Sequence, residues 1–135
     1  MTQKEVNDLS YHIVGCAIEV HKILGPGLLE AVYEACMLLE LRNAGLEAAR
    51  QVRIPIVYKG TPLIHPLKID LLVNNLIIVE LKSVESILPV FKAQLLSYMA
   101  LAQKPKGLLI NFNTNNIVKS TVPLVNTLFS NLPKS

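Results

Sequence analysis

The chain has 135 residues, 51% of them hydrophobic and 17% charged, with a net charge of +3 and a mean hydropathy of +0.41. That length suits one domain with its own core; no apolar run reaches the roughly 18 to 20 residues of a membrane span, and the polar stretch from Met1 to Ser10 lacks the apolar centre of a signal peptide. The protein is therefore expected to be cytoplasmic, and its mild basic excess permits nucleic-acid contact without indicating it.

No repeat, low-complexity tract or long linker interrupts the chain. A single domain is expected over residues 1–135, with a core from about 5 to 122 and a tail, 123–135, that the pattern leaves unassigned. Leu9, Ile13, Cys16, Val20 and Leu24 recur at helical spacing, so an amphipathic helix is expected over about residues 5 to 24. Gly25-Pro26-Gly27 ends it. A second helix is expected from about 28 to 44, burying Leu29, Val32, Cys36 and Leu39, with Gly45 as its stop. Cys16 and Cys36 both fall at apolar helical positions and read as reduced core thiols. Their spacing supplies no disulfide or zinc partners.

Strand-like sequence follows. Val52, Ile54, Ile56 and Tyr58 lie in an alternating, β-branched stretch, and Lys59-Gly60-Thr61-Pro62 reads as a turn. Leu67 to Val73 and Ile77 to Lys82 read as two more strands. Pro89 can open a third helix at its first turn, running to about Ala102. Leu108 to Phe112 is almost wholly apolar and suits a buried strand, and Ile117 to Val122 suits one more. The order ααβββαββ packs most simply as an α/β fold, a central mixed sheet flanked by helices.

Charge placement singles out the central hairpin. Asp70 sits in one apolar strand, Asn74-Asn75 in the turn, and Glu80 and Lys82 two apart in the next strand. Strand residues i and i+2 share a face, so Glu80 and Lys82 point the same way. A two-residue turn would pair Asp70 with Val79 and turn the two acids apart. A three-residue loop, Asn74-Asn75-Leu76, pairs Val73 with Ile77 and Asp70 with Glu80. It also gathers Ile69, Leu71, Val73, Ile77, Val79 and Leu81 on the opposite face. Burial favours this second register, and asparagine tolerates the left-handed conformation that such a loop requires. Lys68 would then lie opposite Lys82. Two readings stay open here: a salt-bridge lattice on a solvated sheet face, or a site that holds a divalent cation and steers a water.

Other polar pairs stand at helical spacing. Glu30 and Tyr33 share a face of the second helix, and Glu30 also suits the positive end of the helix dipole. Gln94 and Tyr98 share a face of the third helix, where an amide and a phenol can orient a water or a phosphate. His12, His21 and His65 lack metal-ligand spacing, and His21 reads as a local hydrogen-bonding residue beside the Gly-Pro-Gly turn.

The stretch Ile18-Glu19-Val20-His21-Lys22-Ile23-Leu24-Gly25-Pro26-Gly27-Leu28-Leu29-Glu30-Ala31-Val32-Tyr33-Glu34 resembles the signature of the GxxExxY family, whose naming letters fall on Gly27, Glu30 and Tyr33. That family is grouped with the PD-(D/E)XK nuclease superfamily, and the resemblance runs over roughly residues 10 to 120. It implies a restriction-endonuclease-like core of helix, three strands, helix, strand. It also implies a metal-binding acid at Asp70, the (D/E)XK element at Glu80 and Lys82, a QxxxY element at Gln94 and Tyr98, and an additional helical acid at Glu30. Some positions depart from the pattern. Ile69 stands where a proline would precede the acid, Lys68 where an arginine is expected, and Phe91 and Lys92 where a histidine and an acid are expected.

The activity implied by the resemblance is Mg²⁺-dependent hydrolysis of phosphodiester bonds in DNA or RNA, with Mn²⁺ as a substitute. Glu30, Asp70, Glu80 and the Leu81 carbonyl would bind the metal. Lys82 would orient or help deprotonate the attacking water, Lys68 and Tyr33 would contact phosphate or substrate, and Gln94 and Tyr98 would align the site. Two rivals accompany this expectation: a module on the same fold that holds nucleic acid or a protein without cutting, and an assembly protein whose apolar surface forms a homodimer or partner interface.

Overall fold

The computed structural model describes residues 1–64 and 67–135, so His65 lies outside the described residues. Helix α1 spans Gln3–Leu24. The Thr2 hydroxyl caps it by accepting the Glu5 N–H at 3.1 Å. Gly25, at φ +70°, stops it by returning its N–H to the His21 carbonyl at 2.7 Å. Helix α2 spans Glu30–Asn43 and α3 spans Pro89–Ala102, the latter opened by proline as expected. A last single-turn helix, α4, covers Thr127–Ser130.

Among the described residues, seven strands complete the fold: β1 Ala48–Ile54, β2 Val57–Tyr58, β3 Thr61–Pro62, β4 Leu67–Val73, β5 Ile77–Lys82, β6 Lys106–Asn111 and β7 Thr121–Val125. Five of them form one mixed sheet in the order β1-β4-β5-β6-β7, and β2 pairs with β3 in a separate two-stranded finger. Among the described strands only β5 and β6 run parallel, joined by α3 as a crossover. The expected central mixed sheet flanked by helices is present. Its middle strands are buried on both faces, which explains their nearly unbroken apolar sequence.

Helices α1 and α2 cover one face, packing Val6, Ile13, Val20, Tyr33, Met37 and Leu41 against Leu71, Val79, Leu81, Leu108 and Phe112. Helix α3 covers the other, packing Leu95 and Met99 against Ile69, Ile78 and Leu109. The approach of α3 is close enough to require a glycine. A Cβ on Gly107 of β6 would stand 2.8 Å from Leu95 Cδ1 and 2.9 Å from Met99 Sδ.

Five expectations about the elements need correction. The stretch expected as one strand through Tyr58 breaks after Ile54, and Thr61-Pro62, expected in the turn, pairs with Val57-Tyr58 as β3. Helix α2 is rotated from the expected stripe: Tyr33, Glu34, Met37 and Leu41 are buried, while Leu29 and Leu39 are 77% and 62% exposed. The Tyr33 ring stacks on Phe112 with centroids 4.4 Å apart, and this large contact sets the helix face. Residues 117–120 form a turn, closed by the Ser120 N–H on the Ile117 carbonyl, so the last strand starts at Thr121. It is an edge strand, where Pro123 is tolerated. Ile69 leaves the apolar set of Leu71 and Val73 and packs on the α3 side. The cause is local: Gln51 adopts φ +50°, and the β1–β4 pairing skips from Arg50↔Leu71 to Val52↔Ile69, breaking strand alternation at Asp70. Finally, His21 bonds across the fold, its Nε2 lying 2.8 Å from the Thr114 carbonyl oxygen.

Candidate active site

The hairpin between β4 and β5 has the odd loop that burial favours. Val73 pairs with Ile77, Leu72 with Ile78 and Leu71 with Val79, leaving Asn74, Asn75 and Leu76 as the loop. Both asparagines are left-handed, at φ 51° and 53°. Asn74 is anchored as well: its side-chain oxygen accepts the Glu47 N–H at 2.8 Å.

Beyond the Leu71↔Val79 rung, the ladder gives way to side chains. The Leu81 N–H donates to Asp70 Oδ2 at 2.8 Å, and the Asp70 N–H donates to Glu80 Oε1 at 3.2 Å. The two carboxylates are thus held together by each other's strand. Glu80 is only 6% exposed. Burial first, then the Asp70 charge beside it, pushes its carboxyl up from 4.5 to about 8. Tyr98 on α3 faces the same pair. Burial, followed by the Glu80 and Asp70 charges, holds its phenol above the usual range.

Lys82 extends the site along β5, with its Nζ 4.5 Å from the centre of the Phe91 ring in the first turn of α3. Its charge acts on Glu80 in the opposite sense to Asp70. Phe91 therefore has a defined position under the lysine, although it departs from the expected histidine.

The remaining candidates distribute around this centre. Glu30, at the start of α2, accepts the Ser83 N–H at 3.3 Å and so reaches the end of β5, one residue beyond Lys82. The Ser83 hydroxyl donates to the Leu28 carbonyl at 2.5 Å, fastening the same junction. Among the described residues, no three His, Cys, Asp or Glu side chains gather into a metal cage, so Glu30 stands beside the acid pair and not within it. Gln94 is exposed and bonds to nothing among the described residues, whereas Tyr98 faces the acids. Lys68 is exposed, and its paired neighbour is Arg53 on β1, because the β4–β5 ladder ends before it reaches Lys82.

Tyr33 is corrected by its environment. It is fully buried, its hydroxyl donates to the Gly25 carbonyl at 2.6 Å, and it accepts the Leu28 N–H at 3.1 Å. Its polar capacity goes to the Gly-Pro-Gly turn, which leaves none for a substrate phosphate. The aromatic letter of the motif is a scaffold here, and the Glu30 it helps place is the group that reaches β5.

Two supporting residues escaped the sequence reading. Asn111 pairs with Lys82 across β5–β6. Its side-chain oxygen accepts the Val84 and Asn113 N–H groups at 3.1 and 3.2 Å, and its amide donates to the Val84 carbonyl at 2.9 Å. A lone asparagine closing a buried apolar strand is the signal that pointed to it. Glu34 is 7% exposed and binds Arg50 at 3.3 Å and the Gln51 side-chain amide at 3.0 Å. It thereby holds the left-handed Gln51 beside Asp70; spacing alone gave no signal for it.

The donor set suits a hard divalent cation. Two adjacent carboxylates, one of them driven toward its neutral form by burial and by the other's charge, would be relieved by a positive ion. The Leu81 N–H points toward β4, so its carbonyl lies along the same strand edge. A hard divalent cation can take one or two protein carboxylates and complete its shell with water and substrate oxygens.

The PD-(D/E)XK nuclease superfamily model matches residues 7–122 of this chain. No curated protein and no solved structure matches it.

Proposed function

Because the chain belongs to the PD-(D/E)XK nuclease superfamily, we propose that it is a metal-dependent nuclease of the GxxExxY branch, hydrolysing phosphodiester bonds in nucleic acid. The observation that carries this reading is the Asp70–Glu80 carboxylate pair, locked by reciprocal backbone hydrogen bonds with Lys82 two residues along the same strand. Asp70, Glu80 and the Leu81 carbonyl would hold Mg²⁺, or Mn²⁺ in its place, with Glu30 contributing from the rim. When bound, the ion would supply Lewis-acid stabilisation of the charge that builds on phosphate.

The chain's own groups would do the rest. Lys82 would orient the attacking water and balance negative charge as the phosphorus centre becomes more crowded. Phe91 holds that ammonium against a ring face, restricting where its protons point. The Tyr98 phenol, held above its usual range by burial and the two carboxylates, would keep its proton and donate toward the acids or a phosphate. Asn111 and Glu30 fix the backbone just past Lys82, which keeps the strand end from drifting.

The test is a cleavage screen over single- and double-stranded DNA and RNA with Mg²⁺ or Mn²⁺, using Lys82→Ala as the control. Metal-dependent cutting that the variant loses supports the reading. Tight nucleic-acid binding without any cutting, equal with and without metal, selects the non-catalytic module instead. Equal cleavage by wild type and Lys82→Ala rejects the assignment of these residues.

A further inference from the structure

The finger formed by β2 and β3 takes no part in the site described so far, yet it leaves the sheet at the site's end. It joins Ile54 of β1 to Leu67 of β4, which pair with each other, and Asp70 lies three residues inside β4. Because β5 runs antiparallel to β4, Glu80 and Lys82 lie at that same end. At about 3.3 Å per strand residue, Tyr58 near the finger's tip is at most about 30 Å from Asp70.

Its surface is unusual in three respects. It exposes apolar and aromatic groups: Val57 at 62%, Tyr58 at 63% and Ile64 at 88%. It is basic and carries no acid: from Ala48 to Ile69 the charged residues are Arg50, Arg53, Lys59 and Lys68. Arg50 is paired with Glu34, but among the described residues Arg53, Lys59 and Lys68 make no ion pair. Thirdly, Arg53 and Lys68 stand directly opposite one another at the finger's base, both exposed. Like charges facing across a strand pair are destabilising, and an anion between them removes the cost.

At the tip, Lys59 and Gly60 are both left-handed, at φ 49° and 79°, the geometry of a tight two-residue hairpin turn. That turn brings the Lys59 ammonium to 5.6 Å from the centre of the Tyr58 ring. An open ring face with a cation beside it presents a stacking surface for a base next to a partner for its phosphate.

We propose that the β2–β3 finger is a single-strand grip. Tyr58 stacks on an unpaired base, Lys59 takes an adjacent phosphate, and the Arg53–Lys68 pair receives the backbone as it runs down to Asp70, Glu80 and Lys82. Lys68 stands two residues, about 7 Å, from Asp70 along the same strand. The inference rests on the nuclease reading and narrows it: the substrate is a single strand or a frayed end, held on the upstream side by stacking. A blunt duplex offers Tyr58 no free base face and gains only the phosphate contacts.

The test is fluorescence anisotropy on the full chain in EDTA, so that nothing is cut, with a labelled single-stranded oligonucleotide and its blunt duplex. Tyr58→Ala should weaken single-strand binding about tenfold, consistent with one lost base stack, and duplex binding much less. Tyr58→Trp should keep or strengthen it. Lys59→Gln should flatten the salt dependence on single strands by about 0.7 per lost phosphate contact, while Lys134→Gln in the tail should not. If wild type binds but Tyr58→Ala and Lys59→Gln bind equally well, the grip is overturned and the nuclease reading stands. Equal loss on single strand and duplex overturns the single-strand preference. A solution dimer that dissociates on Tyr58→Ala would assign the finger to a second copy and overturn the proposal. If wild type binds no nucleic acid in EDTA, the grip falls, and cleavage in the Mg²⁺ and Mn²⁺ screen decides the nuclease reading separately.

Discussion

The two ends of the central sheet each bury a charge, and they treat it differently. At the end of β5, Glu80 lies against a second carboxylate, and the Asp70 N–H and the Lys82 charge relieve it only in part. At the opposite end, where β6 begins beside Ile77, Lys106 is 8% exposed and donates to the Asn7 side-chain oxygen at 3.0 Å, with the Phe129 ring 6.0 Å away. Burial alone lowers the Lys106 ammonium below its usual value. That end is also sealed by the termini: the Gln3 N–H donates to the Pro133 carbonyl at 2.8 Å, and the Gln3 amide donates to the Phe129 and Leu132 carbonyls. A lone buried charge with a neutral partner is an energetic cost that a closed structure tolerates. Two like charges in one cleft form an unfinished electrostatic arrangement, which is what a cation site requires.

The comparison breaks most visibly under substitution of the acid pair. Asp70→Ala or Lys82→Ala is expected to reduce cleavage at least about 100-fold with the fold intact, read by steady-state cleavage and circular dichroism. Comparable losses from Lys106→Met would erase the distinction between the ends, since Lys106 touches no part of the site.

The next effect is on stability against pH. Glu80 is raised from 4.5 to about 8, so the folded metal-free protein binds more protons than the unfolded chain across that interval. Its stability should therefore fall as pH rises from 4.5 to about 8, by at most about 5 kcal/mol in total. Glu80→Gln should flatten that decline, and saturating Mg²⁺ should oppose it. Thermal melts at intervals across the range measure both.

At the other end the sign reverses. Lys106 is lowered, so the unfolded chain binds more protons between the lowered value and 10.5, and stability rises with pH through that window. Lys106→Met should raise stability at neutral pH by about 1 kcal/mol and remove the alkaline rise, leaving cleavage unchanged. A loss of stability in this variant would mean that the Asn7 hydrogen bond outweighs the cost of burial.

The smallest expected effect separates scaffold from site within the motif itself. Tyr33→Phe loses the hydroxyl bonds to Gly25 and Leu28 and should cost about 1 kcal/mol while leaving nucleic-acid affinity alone. A selective loss of substrate binding at unchanged stability would return Tyr33 to the substrate.

Much of this was legible from local pattern. The strands Leu67–Val73 and Ile77–Lys82 and the helix Pro89–Ala102 lie where alternation, turn residues and proline placed them. The odd loop followed from burial and from the two asparagines, and it brought Asp70 beside Glu80. The α2 face was misread because Leu29, Val32 and Leu39 offer a helical stripe as good as Tyr33, Met37 and Leu41. Choosing between them depended on Phe112, far away in sequence. Ile69 was misread because alternation assumes an undisturbed strand, and Gln51 disturbs it from the neighbouring one.

The sequence by itself determined the two hairpin strands, the third helix, the loop length and the side-by-side placement of the two acids, because each depends on residues within a few positions of one another. Tertiary structure alone decided what those acids experience: the depth at which Glu80 is buried, the Tyr98 phenol near it, the Phe91 ring under Lys82, and the diversion of Glu30 to Ser83. Desolvation and charge proximity arise from groups that meet only on folding, so no spacing along the chain encodes them directly.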